Sequence, residues 1–272
     1  MENLESYPMG LQETLENYQV EAEIAGRIGD RIVKLANPAR EVLYLKISKT
    51  PDAKKEMLNE LAVLNWLSSK DLKIPKVLRF EKGQDQLYML LSNVAGLSAH
   101  QMSERLSKEA IINLCAIALK KIHRIDAFSL PSKYRNKLAS ELKAIGEAAR
   151  GNRIDVEAFQ KANNGNTPAV VFEYLQDRSK IFDADVFTHG DYCLPNILIV
   201  DQTNYGFVDW SEAGIGDIYR DLASISKSIA RNFGEEYQTL IFKDYGISPQ
   251  EVNQEKIDYY NLIDQFAYYQ LK

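Results

Sequence analysis

Short apolar segments separated by turn signals occupy the first third of the chain, and longer stretches with helical periodicity occupy most of the rest. Arg31-Ile-Val-Lys-Leu35 and Val42-Leu-Tyr-Leu-Lys-Ile47 read as strands, with Asn37-Pro38 marking the turn between them. Thr50-Pro51 predicts a helix start, Thr as the cap and Pro at the first helical position. Met57, Leu58, Leu61, Leu64 and Leu67 then recur at helical spacing, and Ile74-Pro75 ends the unit. Two further strands are predicted near Val77–Phe80 and Gln86–Leu91.

Past Gly96 the pattern changes. Ser107 can cap a helix whose apolar face is Ala110, Ile111, Leu114, Cys115, Ile117, Ala118 and Ile122. Helical patterns continue to about Leu175, broken by the loop Asn163-Asn-Gly-Asn-Thr-Pro168. After a strand over Asp185–Thr188, a strand pair, Ile197–Val200 and Gly206–Val208 joined by Asp201-Gln-Thr-Asn204, interrupts the helices, which resume at Asp217. There is no internal repeat. The pattern predicts an α+β chain with two lobes. Residues 1–91 form a small antiparallel β-rich lobe with one main helix, 92–96 a linker, and 97–272 a mostly helical lobe.

Composition narrows the classes. The chain has 272 residues, 45% of them hydrophobic and 26% charged, which suits one large domain or two lobes. A net charge of −5 argues against a nucleic-acid partner and is compatible with a cationic small-molecule substrate. Cys115 and Cys193 both lie in apolar stretches and read as reduced, buried thiols, without disulfide or zinc spacing. Met1–Gly10 carries acids and no apolar core of a signal peptide, and the apolar runs are too short to span a bilayer. A cytoplasmic protein without a membrane partner is expected; the oligomeric state is left open.

The candidate chemistry sits in Phe187-Thr-His189-Gly-Asp191-Tyr-Cys-Leu-Pro-Asn196 and in Gly206-Phe-Val-Asp209-Trp210. An Asp, an Asn and a second Asp at short intervals between apolar runs suit phosphoryl transfer: one carboxylate takes a hydroxyl proton, and an amide oxygen and a second carboxylate hold Mg²⁺ against nucleotide phosphates. Asp191 is the candidate base, its alternative a turn Asp bonded to its own backbone. Asn196 follows Pro195 and precedes a strand, where Asn is a poor former, so a metal-directed amide is one reason for it. Asp209 ends the next strand. His189 reads as a scaffold for the loop. Lys46 is the candidate phosphate lysine, sharing a strand face with Tyr44; a solvated strand face is the alternative. A buried Lys needs a carboxylate, and Glu60, beside the apolar face of the following helix, suits it better than Glu56. Gly26 and Gly29 mark a weak candidate for a phosphate-covering loop, and no Walker A pattern occurs. Asp217 reads as a helix cap; Asp221 either accepts N–H bonds from the catalytic loop or favours the helix dipole.

These residues resemble the aminoglycoside phosphotransferases, in particular the 3′-phosphotransferase (kanamycin kinase) branch. The likeness runs through Leu43-Tyr-Leu-Lys46, Trp66-Leu67, Ile74-Pro-Lys-Val-Leu78, His189-Gly-Asp191-Tyr-Cys-Leu-Pro-Asn196, Gly216-Asp-Ile-Tyr-Arg-Asp221 and Tyr259-Tyr-Asn-Leu-Ile-Asp264-Gln-Phe266. The resemblance implies a protein-kinase-like two-lobe fold and ATP, or GTP in its place, with Mg²⁺ as cofactors. Asp191 would be the catalytic base and Asn196 and Asp209 the metal ligands. Lys46 with Glu60 would position phosphates, Tyr44 would stack on the base, and the backbones of Ser92 and Val94 would pair with its edge. Asp155, Glu157, Glu212 and Asp264 are candidate acids for a cationic acceptor. Arg231-Asn232 and Gln265 stand where the family has acids, and Glu212 where it has an Arg. A kinase of another small metabolite, such as a sugar or amino alcohol, is the alternative function, and a non-catalytic nucleotide-binding module a third.

Overall fold

The computed structural model describes residues 7–25, 30–135, 137–151, 153–182 and 185–271. The Gly26 and Gly29 loop candidate lies outside the described residues. The chain divides into two compact units, Met1–Leu97 with Leu198–Glu212, and Ser98–Ile197 with Ala213–Lys272. Residues 198–212, which the sequence pattern groups with the helical lobe, belong to the first unit.

The first unit begins with a short helix, α1 (Met9–Thr14), followed by β1 (Gln19–Ala25), β2 (Asp30–Ala36), β3 (Val42–Ser48), β4 (Val77–Lys82) and β5 (Leu87–Ser92). These strands form one sheet in the order β1-β2-β3-β5-β4, antiparallel throughout. Alternation in β3 decides its register: Leu43, Leu45 and Ile47 are buried, and Tyr44 and Lys46 take the opposite face. Tyr7, Leu11, Val33, Leu35 and Leu90 join that core. The helix α2 (Pro51–Leu67) starts where Thr50 caps the Ala53 N–H at 3.3 Å. Its buried stripe is Ala53, Met57, Glu60, Val63, Leu64 and Leu67. Leu58, read from the sequence as part of that face, is exposed; at 100° per residue it lies a quarter-turn from Met57. The stripe therefore contains a carboxylate.

The chain leaves the first unit through β6 (Leu97–Ser98). In the second unit, α3 (Lys108–His123) is capped by Ser107 and buried nearly all round, as expected of a central helix. Ile117 is the exception to its predicted apolar face and is exposed. Helices α4 (Lys137–Arg150), α5 (Val156–Ala162) and α6 (Pro168–Arg178) precede β7 (Val186–Thr188). The strand β8 (Ile197–Ile199) leads back into the first unit, and the Val200 N–H bonds to the Asn204 carbonyl at 2.8 Å to close the turn into β9 (Tyr205–Phe207). A short strand that periodicity does not reveal, β10 (Gly214–Gly216), pairs antiparallel with β7. The helices α7 (Ile218–Phe233), α8 (Leu240–Tyr245) and α9 (Gln254–Tyr268) complete the unit. Cys115 is buried, and burial pushes its thiol up to about 12, whereas Cys193 is half-buried rather than enclosed; neither is in a disulfide. Among the described residues no helix is long and apolar enough to cross a membrane.

Gly96, at φ +126°, lies against Ile199, whose backbone atoms would meet a Cβ at 2.9 Å. The position combines a backbone conformation unfavourable to L side chains with a contact that cannot recede. Gly96→Ala is expected to destabilise the protein by about 2–4 kcal/mol, read from the urea midpoint at unchanged m-value.

Candidate active site

The first unit contributes an ammonium between two carboxylates. The Lys46 Nζ lies 2.6 Å from Glu60 Oε2 and 3.3 Å from Asp209 Oδ1. Glu60 reaches it from the buried stripe of α2, and its other oxygen accepts from the Trp210 N–H at 3.4 Å. Burial disfavours the charge on Lys46, but the fields of Glu60 and Asp209 outweigh it and raise its pKa above the ordinary lysine value. A carboxylate in such a place is tolerable only because it is paired and hydrogen-bonded on both oxygens. Asp209 differs from Glu60: 42% of its side chain is accessible, and its backbone is left-handed at φ +64°. A non-glycine residue there costs about 1–3 kcal/mol, and such strain gathers at functional positions.

Tyr44 is half-buried on the Lys46 face of β3. The Ser92 N–H is engaged by the Lys76 carbonyl at 2.9 Å, which leaves the Ser92 carbonyl as the group that could meet a base edge. Val94 is buried, and its N–H has no partner among the described residues.

The second unit holds the catalytic-loop candidate. β7 ends at Thr188, and the chain turns sharply through Gly190 at φ +86°. The turn is clamped by Asp221 on α7, whose two carboxylate oxygens accept from the His189 N–H and the Gly190 N–H, each at 2.8 Å. His123 Nε2 donates to the same carboxylate at 3.0 Å, and His123 Nδ1 lies 2.7 Å from the Tyr245 hydroxyl. Of the two roles open to Asp221 from sequence, the structure selects the clamp. Burial works against its charge; the His123 hydrogen bond and field, with the His189 ring and N–H, outweigh burial and hold the carboxyl below the ordinary aspartate range. Burial and the Asp221 charge push the Tyr245 phenol up to about 12, so it remains an O–H donor at neutral pH.

Beyond the turn, the loop is tied down on three sides. The Tyr192 hydroxyl donates to the Cys115 carbonyl at 2.8 Å, the Leu194 N–H to Ser228 Oγ at 3.1 Å, and the Ala99 N–H to the Ile197 carbonyl at 2.7 Å. His189 is wholly buried, and its Nδ1 accepts from the Asp191 N–H at 3.4 Å, a scaffold position. Asn196 Nδ2 donates to the Asp191 carbonyl at 3.0 Å and to Asp191 Oδ2 at 3.1 Å. With its nitrogen so directed, the Asn196 amide turns its oxygen away from Asp191. The structure thus brings Asp191 to Asn196, and Lys46 to Glu60 and Asp209, each set within its own unit.

The four candidate substrate acids fare differently. Asp155 is exposed and caps α5 through the Ala158 N–H at 3.0 Å, and Glu157 is exposed in the first turn of that helix. Asp264 is committed to Arg220 at 2.8 Å, with Lys227 at 3.7 Å. Glu212 is half-buried. Sequence reading passed over Arg220, which is buried and joins Asp264 on α9 to Glu141 on α4, 3.1 Å away. Nothing in the periodicity of a charged residue after a helix cap marks it as internal. Arg231 is exposed in the last turn of α7, where a cation favours the helix dipole.

A family model described as "Phosphotransferase enzyme family" matches residues 17–256. The chain belongs to this family. It is 31% identical to an Enterococcus faecalis aminoglycoside 3′-phosphotransferase, over 94% of this chain and 96% of that one. It is 26% identical to one from Niallia circulans, over 97% and 99%. Among solved structures it resembles the Streptomyces rimosus aminoglycoside phosphotransferase APH(3'')-Id, with a TM-score of 0.77, 21% identity and 98% and 99% coverage. The same enzyme in complex with ADP and streptomycin matches at 0.69 and 20% identity. These structural likenesses carry the kinase-like fold.

Asp221 makes the acid stability of the protein predictable. Because its folded pKa is depressed, its charge contributes stability in full above the ordinary aspartate value of about 4, and loses it as pH falls through the depressed value. Asp221→Asn is expected to cost about 3–5 kcal/mol at neutral pH. The gap from wild type should narrow below about pH 4, as read from chemical denaturation across pH.

Proposed function

We propose that this chain is an ATP-dependent O-phosphotransferase that moves the γ-phosphoryl group to a hydroxyl of an aminoglycoside antibiotic, conferring resistance by modification. The observation that carries the reading is the clamped His189-Gly190-Asp191 turn with Asn196 directed onto Asp191. Its support from relatives is that several similar proteins are named aminoglycoside 3′-phosphotransferases. Asp191 orients the acceptor hydroxyl and takes its proton as the phosphoryl group leaves the nucleotide. Lys46, steadied by Glu60, offsets charge on the phosphates. The Ser92 carbonyl and Val94 N–H pair with the base edge, and Tyr44 stacks on it. ATP and GDP complexes of related phosphotransferases favour either ATP or GTP as donor.

The donor set fits Mg²⁺. Asn196 has an amide oxygen turned away from Asp191, and Asp209 presents an accessible carboxylate. Among the described residues no cluster of three or more His, Cys, Asp or Glu forms a cage. An ion of this kind is held by one or two protein oxygens and otherwise by phosphates and water. When bound, the ion neutralises charge on the β- and γ-phosphates. An enzyme drawing on nucleoside triphosphate works in the cytoplasm, and its net charge of −5 suits a cationic substrate rather than nucleic acid.

A second reading keeps this machinery with a different hydroxyl acceptor, such as a sugar or amino alcohol. It is favoured by the engagement of Asp264 with Arg220, which reduces the carboxylates available to ammonium groups. A coupled assay for ADP, run over aminoglycosides and simple metabolites, decides between them. Asp191→Ala is expected to lower kcat by about 10²–10⁴-fold while nucleotide affinity, measured by calorimetry, survives. Chelation of divalent ions should abolish turnover and leave the fold intact by circular dichroism. Turnover retained in the Asp191 variant would remove that residue from the role.

A further inference from the structure

Behind the catalytic-loop candidate runs a string of polar groups that the proposed chemistry leaves unused. It starts at the half-buried Tyr245 on α8, whose hydroxyl lies 2.7 Å from His123 Nδ1. It passes through the buried imidazole on α3 to Asp221 on α7, 3.0 Å from His123 Nε2. It ends on the N–H groups of His189 and Gly190, each 2.8 Å from the Asp221 carboxylate. The next residue is Asp191. All of these groups belong to the second unit.

The direction of each bond follows from valence. A carboxylate only accepts, so His123 Nε2 carries the proton. A neutral imidazole has one N–H, so Nδ1 accepts and the Tyr245 hydroxyl donates. Without that hydroxyl the ring proton is free to move to Nδ1, and the Nε2 lone pair then faces a buried carboxylate. Tyr245 is itself held against α3. Its ring stands edge-on to the His123 ring at 5.6 Å. Lys120 Nζ lies over the same ring at 5.7 Å and donates to the Asp244 carbonyl at 2.9 Å.

Asp221 Oδ2 accepts from both the His123 ring and the His189 N–H, and Oδ1 accepts from the Gly190 N–H. The two main-chain donors belong to the turn that the carboxylate has to fix, so they move with it. The imidazole donates from outside the turn and ties the carboxylate to α3. Apolar side chains can fill such a space without loss of stability, but they give it no direction. We propose that Tyr245 and His123 are positioning residues for phosphoryl transfer. The tyrosine hydroxyl sets the histidine tautomer, the histidine aims the Asp221 carboxylate, and the carboxylate holds the turn that presents Asp191 to the acceptor hydroxyl. This inference rests on the role proposed for Asp191.

The test uses the full chain, with ATP and kanamycin in the ADP assay and nitrogen NMR of the imidazoles, of which the chain has three. In wild type His123 is expected as the Nε2–H tautomer, and in Tyr245→Phe as a mixture with the Nδ1–H form. Tyr245→Phe should lower kcat about three- to tenfold and leave the KM for ATP unchanged. His123→Leu should lower kcat about 10–100-fold, and His123→Gln, whose Nε2 can still donate, should recover part of the loss. Thermal melting shows whether each variant is folded; should His123→Leu fail to fold, Tyr245→Phe carries the test. An unchanged kcat in Tyr245→Phe, a wild-type imidazolium or Nδ1–H tautomer, or a fall in kcat matched by a rise in the KM for ATP overturns the inference. If wild type forms no ADP with any acceptor, the phosphotransferase reading falls, and amide exchange at Gly190 and Asp191 decides the positioning: faster in Tyr245→Phe supports it, equal rates overturn it.

Discussion

The catalytic-loop candidate depends on one buried carboxylate. Asp221 has no accessible surface, yet it carries charge, because two main-chain N–H groups and an imidazole meet it. Left-handed Gly190 would otherwise have little to define its direction. The clamp converts a short, irregular segment into a fixed platform from which Asp191 and Asn196 project. Its own orientation is set further back, by α7 and by the His123–Tyr245 contact between α3 and α8. Three helices thus bear on the placement of one side chain, and chemistry on a loop acquires the rigidity of a helical core.

The sheet unit solves a similar problem with the opposite sign. There the group to be fixed is an ammonium, and the fixing group, Glu60, lies within the buried stripe of α2. Removing Lys46 would leave the Glu60 carboxylate buried without its counter-charge, so the two are coupled beyond the worth of their hydrogen bond. Asp209 adds a third charge from a residue far along the chain, on a strained backbone and more open to solvent. The contrast between an enclosed Glu60 and an accessible Asp209 separates a positioning carboxylate from one that can meet an ion.

Much of this was legible in the chain itself, where local chemistry determines local structure. Thr50-Pro51, Ser107 and Asp217 announce helix starts because their side chains satisfy N–H groups that the helix cannot. Alternation placed Lys46 opposite Leu45, and the helical offset placed Glu60 near the apolar stripe. What escaped was set by tertiary partners. Leu58 and Ile117 are apolar yet exposed. β10 is three residues long and exists through its pairing with β7. Asp264 looks like a ligand for a cation in sequence, and in the structure it already has one in Arg220. Burial of an arginine between helices carries no periodic signature.

The chain crosses between its units more than once: it leaves the first near residue 97, returns at 198 and departs again after 212. The fifteen or so residues of that return visit carry Asp209 to the lysine of β3. Neither half of the molecule is therefore a contiguous segment of its gene. A fragment ending in the 92–96 linker would keep the five-stranded sheet and lose the aspartate facing its lysine. Recombination between homologues at that linker would pair the β3 lysine of one parent with the aspartate that follows β9 in the other, so these two positions must remain compatible across any such exchange.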